Sequence, residues 1–204
     1  MDLPTELEEK IFLELSITDL LQACSSSVNS RKVCGDSIFW KRKFAKDDLP
    51  LIYPRESVSG WILEYKVSKI AQLREEHYIE EINQGSFVQI PLLEINDVNI
   101  LPDFLNKKLL RAIRVKEVYI NNTNLKYGRK LPNFFSVLTP FTDKGLTFFL
   151  AKEDGEYIFQ IKGFYTKILT EEQMRFLLYI LCYYDIGLDY RVPKEVLLEE
   201  GIID

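Results

Sequence analysis

Leu3-Pro4-x-Glu6-Leu7, Ile11-Phe12, Leu15, Asp19-Leu20-Leu21, Cys24, Cys34, Asp36 and Phe39-Trp40-Lys41 with Phe44 form an ordered pattern over the start of the chain. Pro4 suits the first turn of a helix, where its missing N–H costs nothing. Thr5 and Glu8 have the spacing of a capping box. Leu7, Ile11 and Leu15 then recur at i, i+4 and i+8 and share one helix face. Thr18 is placed to cap a second helix running from Asp19 to about Ser25. Ser25-Ser26-Ser27 weakens its end, because serine hydroxyls compete for backbone hydrogen bonds. Asp36 or Ser37 starts a further helix that carries Phe39, Trp40 and Phe44 and ends near Asp48, before Pro50. The pattern therefore predicts an all-helical module over 1–48. A piece this small cannot bury many apolar side chains alone, and a partner surface would stabilise it.

Outward from this module, Leu49 to Pro54 reads as an irregular connection. Ser57 or Ser59 precedes a long helical stretch with Trp61, Ile62, Tyr65, Ile70 and Leu73 at roughly helical spacing. A charged stretch, Arg74 to Gln84, ends at Gly85, so 49–84 is expected to be a linker and connecting helix. Residues 85–204 are expected to form a small mixed α+β domain. Phe87-Val88-Gln89-Ile90 reads as a strand stopped by Pro91, Pro102-Asp103 opens a helix to about Ile113, and Val115 to Ile120 alternates as a strand does.

Asp154-Gly155 between alternating runs favours a two-residue type I′ hairpin. Counting outward pairs Lys152 with Tyr157, Leu150 with Phe159 and Phe148 with Ile161, and leaves that face almost wholly apolar. The opposite face is polar except for Phe149, Ala151 and Ile158, so one face should pack on a core and the other be partly solvated. Thr170 and Gln173 mark a second capping box. The following helix, to about Asp185, is apolar nearly all round and should be deeply buried. Gly187 is the expected stop, and Pro193 opens a last helix through Leu198. The fold class is α+β.

Of the 204 residues, 47% are hydrophobic and 28% charged, an ordinary globular balance for a chain long enough to bury a core. A net charge of −5 and a pI of 5.2 argue against nucleic acid as a partner. The longest apolar run, Phe176 to Tyr184, is far short of the ~20 residues that span a bilayer. No signal peptide is apparent at the start. Three cysteines, at 24, 34 and 182, with no Cys-x-x-Cys pair, point away from a secreted disulfide framework and toward a reducing compartment. Asn121-Asn122-Thr123 matches a glycosylation sequon that would be idle there.

The first 44 residues resemble the F-box, through Leu3-Pro4, Asp19-Leu20-Leu21 and the closing Trp40, with Cys24, Val33, Asp36 and Phe39 at positions the family fills similarly. Two departures stand in the centre. The apolar residue expected near Ser26 is replaced by Val28 two places later, and the aromatic expected near Ser30 is absent. The Phe39-Trp40-Lys41-x-x-Phe44 ending and the Trp61-x-x-x-Tyr65 stretch are similar to F-box proteins of large DNA viruses. The resemblance implies a non-enzymatic adaptor, cytoplasmic or nuclear (in a host cell, if viral). The module would dock on a Skp-type adaptor protein, and through it on a cullin scaffold. Residues 85–204 would hold an unknown target for ubiquitin transfer by another protein. Leu3, Pro4, Leu7, Ile11, Leu15, Leu20, Leu21 and Trp40 would make the adaptor contact. The alternative is a non-catalytic structural or virion-associated interaction protein that keeps the F-box-like fold.

Nothing else in the sequence points to chemistry or to a cofactor. No Gly-rich phosphate loop occurs, and three Cys with one His do not supply a zinc cage. His77 lies in a charged stretch, Arg74-Glu75-Glu76-His77, that reads as a solvated helix face. Cys24 and Cys34 are expected to be small buried thiols. Lys41-Arg42-Lys43 with Lys46 reads as a solvated basic face. Asn133-Phe134-Phe135 is the candidate loop for gripping a target.

Overall fold

The computed structural model describes residues 4–113, 146–161 and 164–203. The expected strand at Val115–Ile120, the sequon and the Asn133-Phe134-Phe135 loop lie outside these residues, as does Leu3. The chain is α+β: an N-terminal helical region precedes a four-stranded antiparallel sheet with helices. It divides into two compact units, Met1–Arg74 with Tyr190–Asp204, and Glu75–Asp189.

The first unit starts with four short helices, α1 (Thr5–Glu14), α2 (Ile17–Ser26), α3 (Val28–Gly35) and α4 (Ser37–Lys46). The starts of α2, α3 and α4 are set by side chains that accept otherwise orphaned N–H groups, while α1 opens at Pro4 with no side-chain cap. Ser16, not Thr18, caps α2 by accepting from the Asp19 N–H at 3.1 Å; Ser27 caps α3 and Asp36 caps α4. The weakened serine run thus ends one helix and opens the next. The long helix α5 (Val58–Asn83) follows an irregular connection. Arg55 holds that connection to α5, with Nε and Nη2 donating at 3.0 and 2.7 Å to the buried Glu64 carboxylate.

Below these helices lies an aromatic core. Trp40 stacks on Trp61 with ring centroids 5.9 Å apart, and Phe44 meets Trp61 and Tyr65 edge-on. Phe12, Ile17, Leu20, Val33 and Phe39 belong to the same cluster. The C-terminal helix α8 (Lys194–Glu199) and the residues after it belong to the same unit. Gly201 has φ +60, and a Cβ there would meet the Ser16 Cβ at 2.7 Å, so only glycine permits this approach to the α1–α2 turn.

In the second unit the strands β1 (Val88–Pro91), β2 (Thr147–Glu153), β3 (Glu156–Ile161) and β4 (Tyr165–Leu169) pair in chain order. Asp154 and Gly155 both have positive φ, 50° and 86°, as a type I′ turn demands. The register pairs Lys152 with Tyr157, Leu150 with Phe159 and Phe148 with Ile161, as counting from the turn predicts. Val88, Ile90, Phe148, Leu150, Tyr157, Phe159, Ile161 and Leu169 are buried on the inner face. A helical segment over 107–113, here α6, begins later than Pro102 predicts, because a turn occupies 103–105. Helix α7 (Glu171–Tyr183) opens with the expected Thr170/Gln173 capping box and buries most of its length. It stops before Gly187, at Asp185, whose φ of 53 brings the Ile186 N–H back to the Leu181 carbonyl.

Candidate functional site

The site residues drawn from the sequence converge on α1, α2 and α4. Their side chains differ in exposure. Leu7, Ile11 and Leu21 are exposed at 49, 47 and 49%, and Pro4 is also exposed. Leu15 is half-buried, while Leu20 and Trp40 have no exposed surface and belong to the aromatic core. On α2 the adjacent leucines therefore face opposite ways: Leu20 fastens the helix to the core and Leu21 is presented to solvent. Leu7 and Ile11 are one helical turn apart and form a stripe on α1. Val28 and Ile38 add exposed apolar groups on α3 and α4, at 68 and 53%.

The departing centre of the motif is rebuilt with polar contacts. Glu8 does not cap its own helix; it is buried and accepts hydrogen bonds from Asn29 Nδ2 and the Ser30 hydroxyl. The Ser30 Oγ lies 2.7 Å from that of Ser27 and 3.2 Å from that of Ser26. The expected apolar and aromatic groups are thus replaced by a carboxylate, an amide and hydroxyls that satisfy one another, as burial of polar atoms requires. Nothing local in the sequence links Glu8 to residues more than twenty positions away.

Two further features hold this surface. Cys24 and Cys34 are joined as a disulfide, with Cα atoms 5.7 Å apart, and both are buried. The expectation of two separate thiols is corrected: the packing of α2 on α3 brings together cysteines that their spacing of ten residues does not reveal as partners. The Trp40 Nε1–H donates to the Cys34 carbonyl at 2.8 Å, tying the bridge to the core. Lys43 is 3% exposed, so the basic stretch is not a simple solvated face. Its Nζ donates to the Leu13 and Leu15 carbonyls at 2.9 and 3.1 Å and pairs with Asp47 at 3.0 Å. A buried cation so satisfies the carbonyls at the end of α1, where the helix dipole favours positive charge. The Tyr65 hydroxyl donates to Asp47 at 2.7 Å; burial, with Asp47 beside it, pushes its pKa well up and keeps it protonated.

Among the described residues, no group of three or more His, Cys, Asp or Glu side chains could hold a metal ion, and no helix is long and apolar enough to cross a membrane. His77 faces Glu81 at 3.6 Å and packs edge-on against Tyr78.

A protein of Arabidopsis thaliana described as a putative F-box protein is similar to this chain, 28% identical over 82 residues, which cover 40% of the chain and 26% of that protein. The match thus spans about a quarter of the length of the curated relative. No family model and no solved structure matches the chain. The comparison supports a distant likeness to F-box proteins and gives no support to a viral origin.

Proposed function

We propose that the chain is an F-box-type substrate receptor that docks on a Skp-type adaptor of a cullin–RING ubiquitin ligase and presents a bound target. The observation that carries this reading is the outward placement of Leu7, Ile11 and Leu21, at motif positions, over a fully packed core. Covering the exposed half of each would contribute about 1 kcal/mol per residue. Residues 1–48 are the docking module in this reading, with Leu20 and Trp40 supporting it from beneath. Residues 85–204 hold the target. The chain contributes proximity alone, and the bond-forming chemistry belongs to another subunit.

The test is co-elution of the full chain with a purified Skp-type adaptor on size exclusion. Wild type should co-elute and Leu21→Asp should not, with unchanged tryptophan emission showing that the fold survives. Wild type eluting apart from the adaptor sinks the reading. Leu20→Asp is the wrong probe, because a charge placed at a fully buried position would unfold the module.

A further inference from the structure

We propose that the outer face of the four-stranded sheet docks a basic amphipathic helix of a partner protein. The face carries an apolar row where a solvated sheet face normally alternates to polar. Ala151, Ile158 and Ile168 lie side by side across β2, β3 and β4. Phe87, just before β1, extends the row and sets its ring 6.0 Å from that of Phe149. Phe87 and Ile168 are 62 and 57% exposed, although both are large and apolar.

The borders of the row define the partner. On one side Gln89 bonds Thr147 and Gln160 bonds Thr166, each at 3.2 Å, a neutral edge that satisfies itself. On the other side Glu153 stands directly opposite Glu156, with Asp154 in the turn between them, and all three are exposed. Like charges placed opposite one another on neighbouring strands repel. None of the three has an ion pair among the described residues. An occupant that brings cations to this edge relieves that repulsion. A second copy brings three more carboxylates and a net charge of −5, so a foreign basic segment fits better.

The spacing favours a helix. Neighbouring strands lie about 4.8 Å apart, close to the ~5.4 Å rise of one helical turn. Apolar residues at i, i+4 and i+7 would meet the row strand by strand, with Lys or Arg on the flank over Glu153 and Glu156. The surface stands on the sheet alone; that its occupant is the ligase target rests on the receptor reading.

The probe is a synthetic 14-residue helical peptide with leucines at those spacings and lysines on one flank; its control carries glutamates in place of the lysines. Each is titrated into the full chain by calorimetry and by methyl NMR. The lysine peptide should bind, shifting the Ile158 and Ile168 methyls, and the glutamate peptide should not. Glu153→Lys with Glu156→Lys, and separately Ile168→Asp, should each weaken binding at least tenfold. Unchanged binding in both variants, shifts confined to other methyls, or a dimer of the chain that these variants dissociate would overturn the proposal. Adaptor co-elution, run on the same variants, should be retained. Failure of wild type to bind the adaptor would strike the receptor reading and leave the sheet surface standing.

Discussion

The helical unit and the sheet unit solve the same problem, hiding apolar side chains, by different means. In the sheet unit a period-two pattern sends alternate residues inward, and the register follows from one turn at Asp154-Gly155. In the helical unit the four N-terminal helices, of eight to ten residues each, are too short for their periodicity to specify packing. Their arrangement depends on long-range ties: the Trp40–Trp61 stack, Glu8 to Asn29 and Ser30, Lys43 to the end of α1, and the Cys24–Cys34 bridge. A unit held this way can leave Leu7, Ile11 and Leu21 outside, because none of them is needed by the core.

The comparison breaks most readily at Trp40. Trp40→Ala removes a fully buried ring stacked on Trp61 and should cost about 3–5 kcal/mol. Both tryptophans of the chain lie in the helical unit, so Trp61 emission during urea unfolding reads this loss where it occurs. Reduction of the disulfide should cost the same unit about 2–3 kcal/mol, from the entropy of the ten-residue loop it closes. The check is the emission midpoint with and without reductant, and Cys24→Ser should show the loss with no response to reductant.

In the sheet unit, Thr170→Ala removes one half of the capping box on α7 and should cost about 1 kcal/mol, read by far-UV circular dichroism during thermal unfolding. Burial raises the Glu75 carboxyl from 4.5 to about 7, against the pull of Arg175 at 3.0 Å. Between those values the folded chain holds a proton that the unfolded chain releases, so this group's contribution to stability is greatest below pH 4.5 and is lost as pH rises to 7. Unfolding of wild type and Glu75→Gln at pH 4.5, 6 and 7.5 should show a flatter pH dependence in the variant. The smallest stability change belongs to Leu21→Asp. At an exposed position it should shift stability by no more than ~0.5 kcal/mol, so any loss of adaptor binding would report the surface and not the fold.

The hairpin register, the capping box at Thr170 and the burial of α7 were legible because each depends on residues a few positions apart. The helical starts near Pro4, Asp36 and Thr170 were legible for the same reason. β4 was not anticipated: Tyr165, Lys167 and Leu169 on one face and Thr166 and Ile168 on the other give little contrast in polarity. The C-terminal residues join the helical unit through Gly201 against Ser16, an approach that no local pattern announces. In the candidate site, the helical spacing of Leu7 and Ile11 was readable. The opposite fates of Leu20 and Leu21 were not, since one apolar residue follows another and only the packed core decides which turns inward. Glu8 read as part of a helix cap and Lys43 as part of a solvated face, because their partners are distant in sequence.

The most direct measurement is calorimetric titration of a purified Skp-type adaptor into three versions of the 204-residue chain: wild type, Leu7→Asp with Leu21→Asp, and Glu153→Lys with Glu156→Lys. The account predicts binding by wild type, a loss of about a hundredfold or more when both exposed leucines are charged, and wild-type affinity when only the hairpin tip is reversed. No binding by wild type, or equal losses in the two variants, would contradict it.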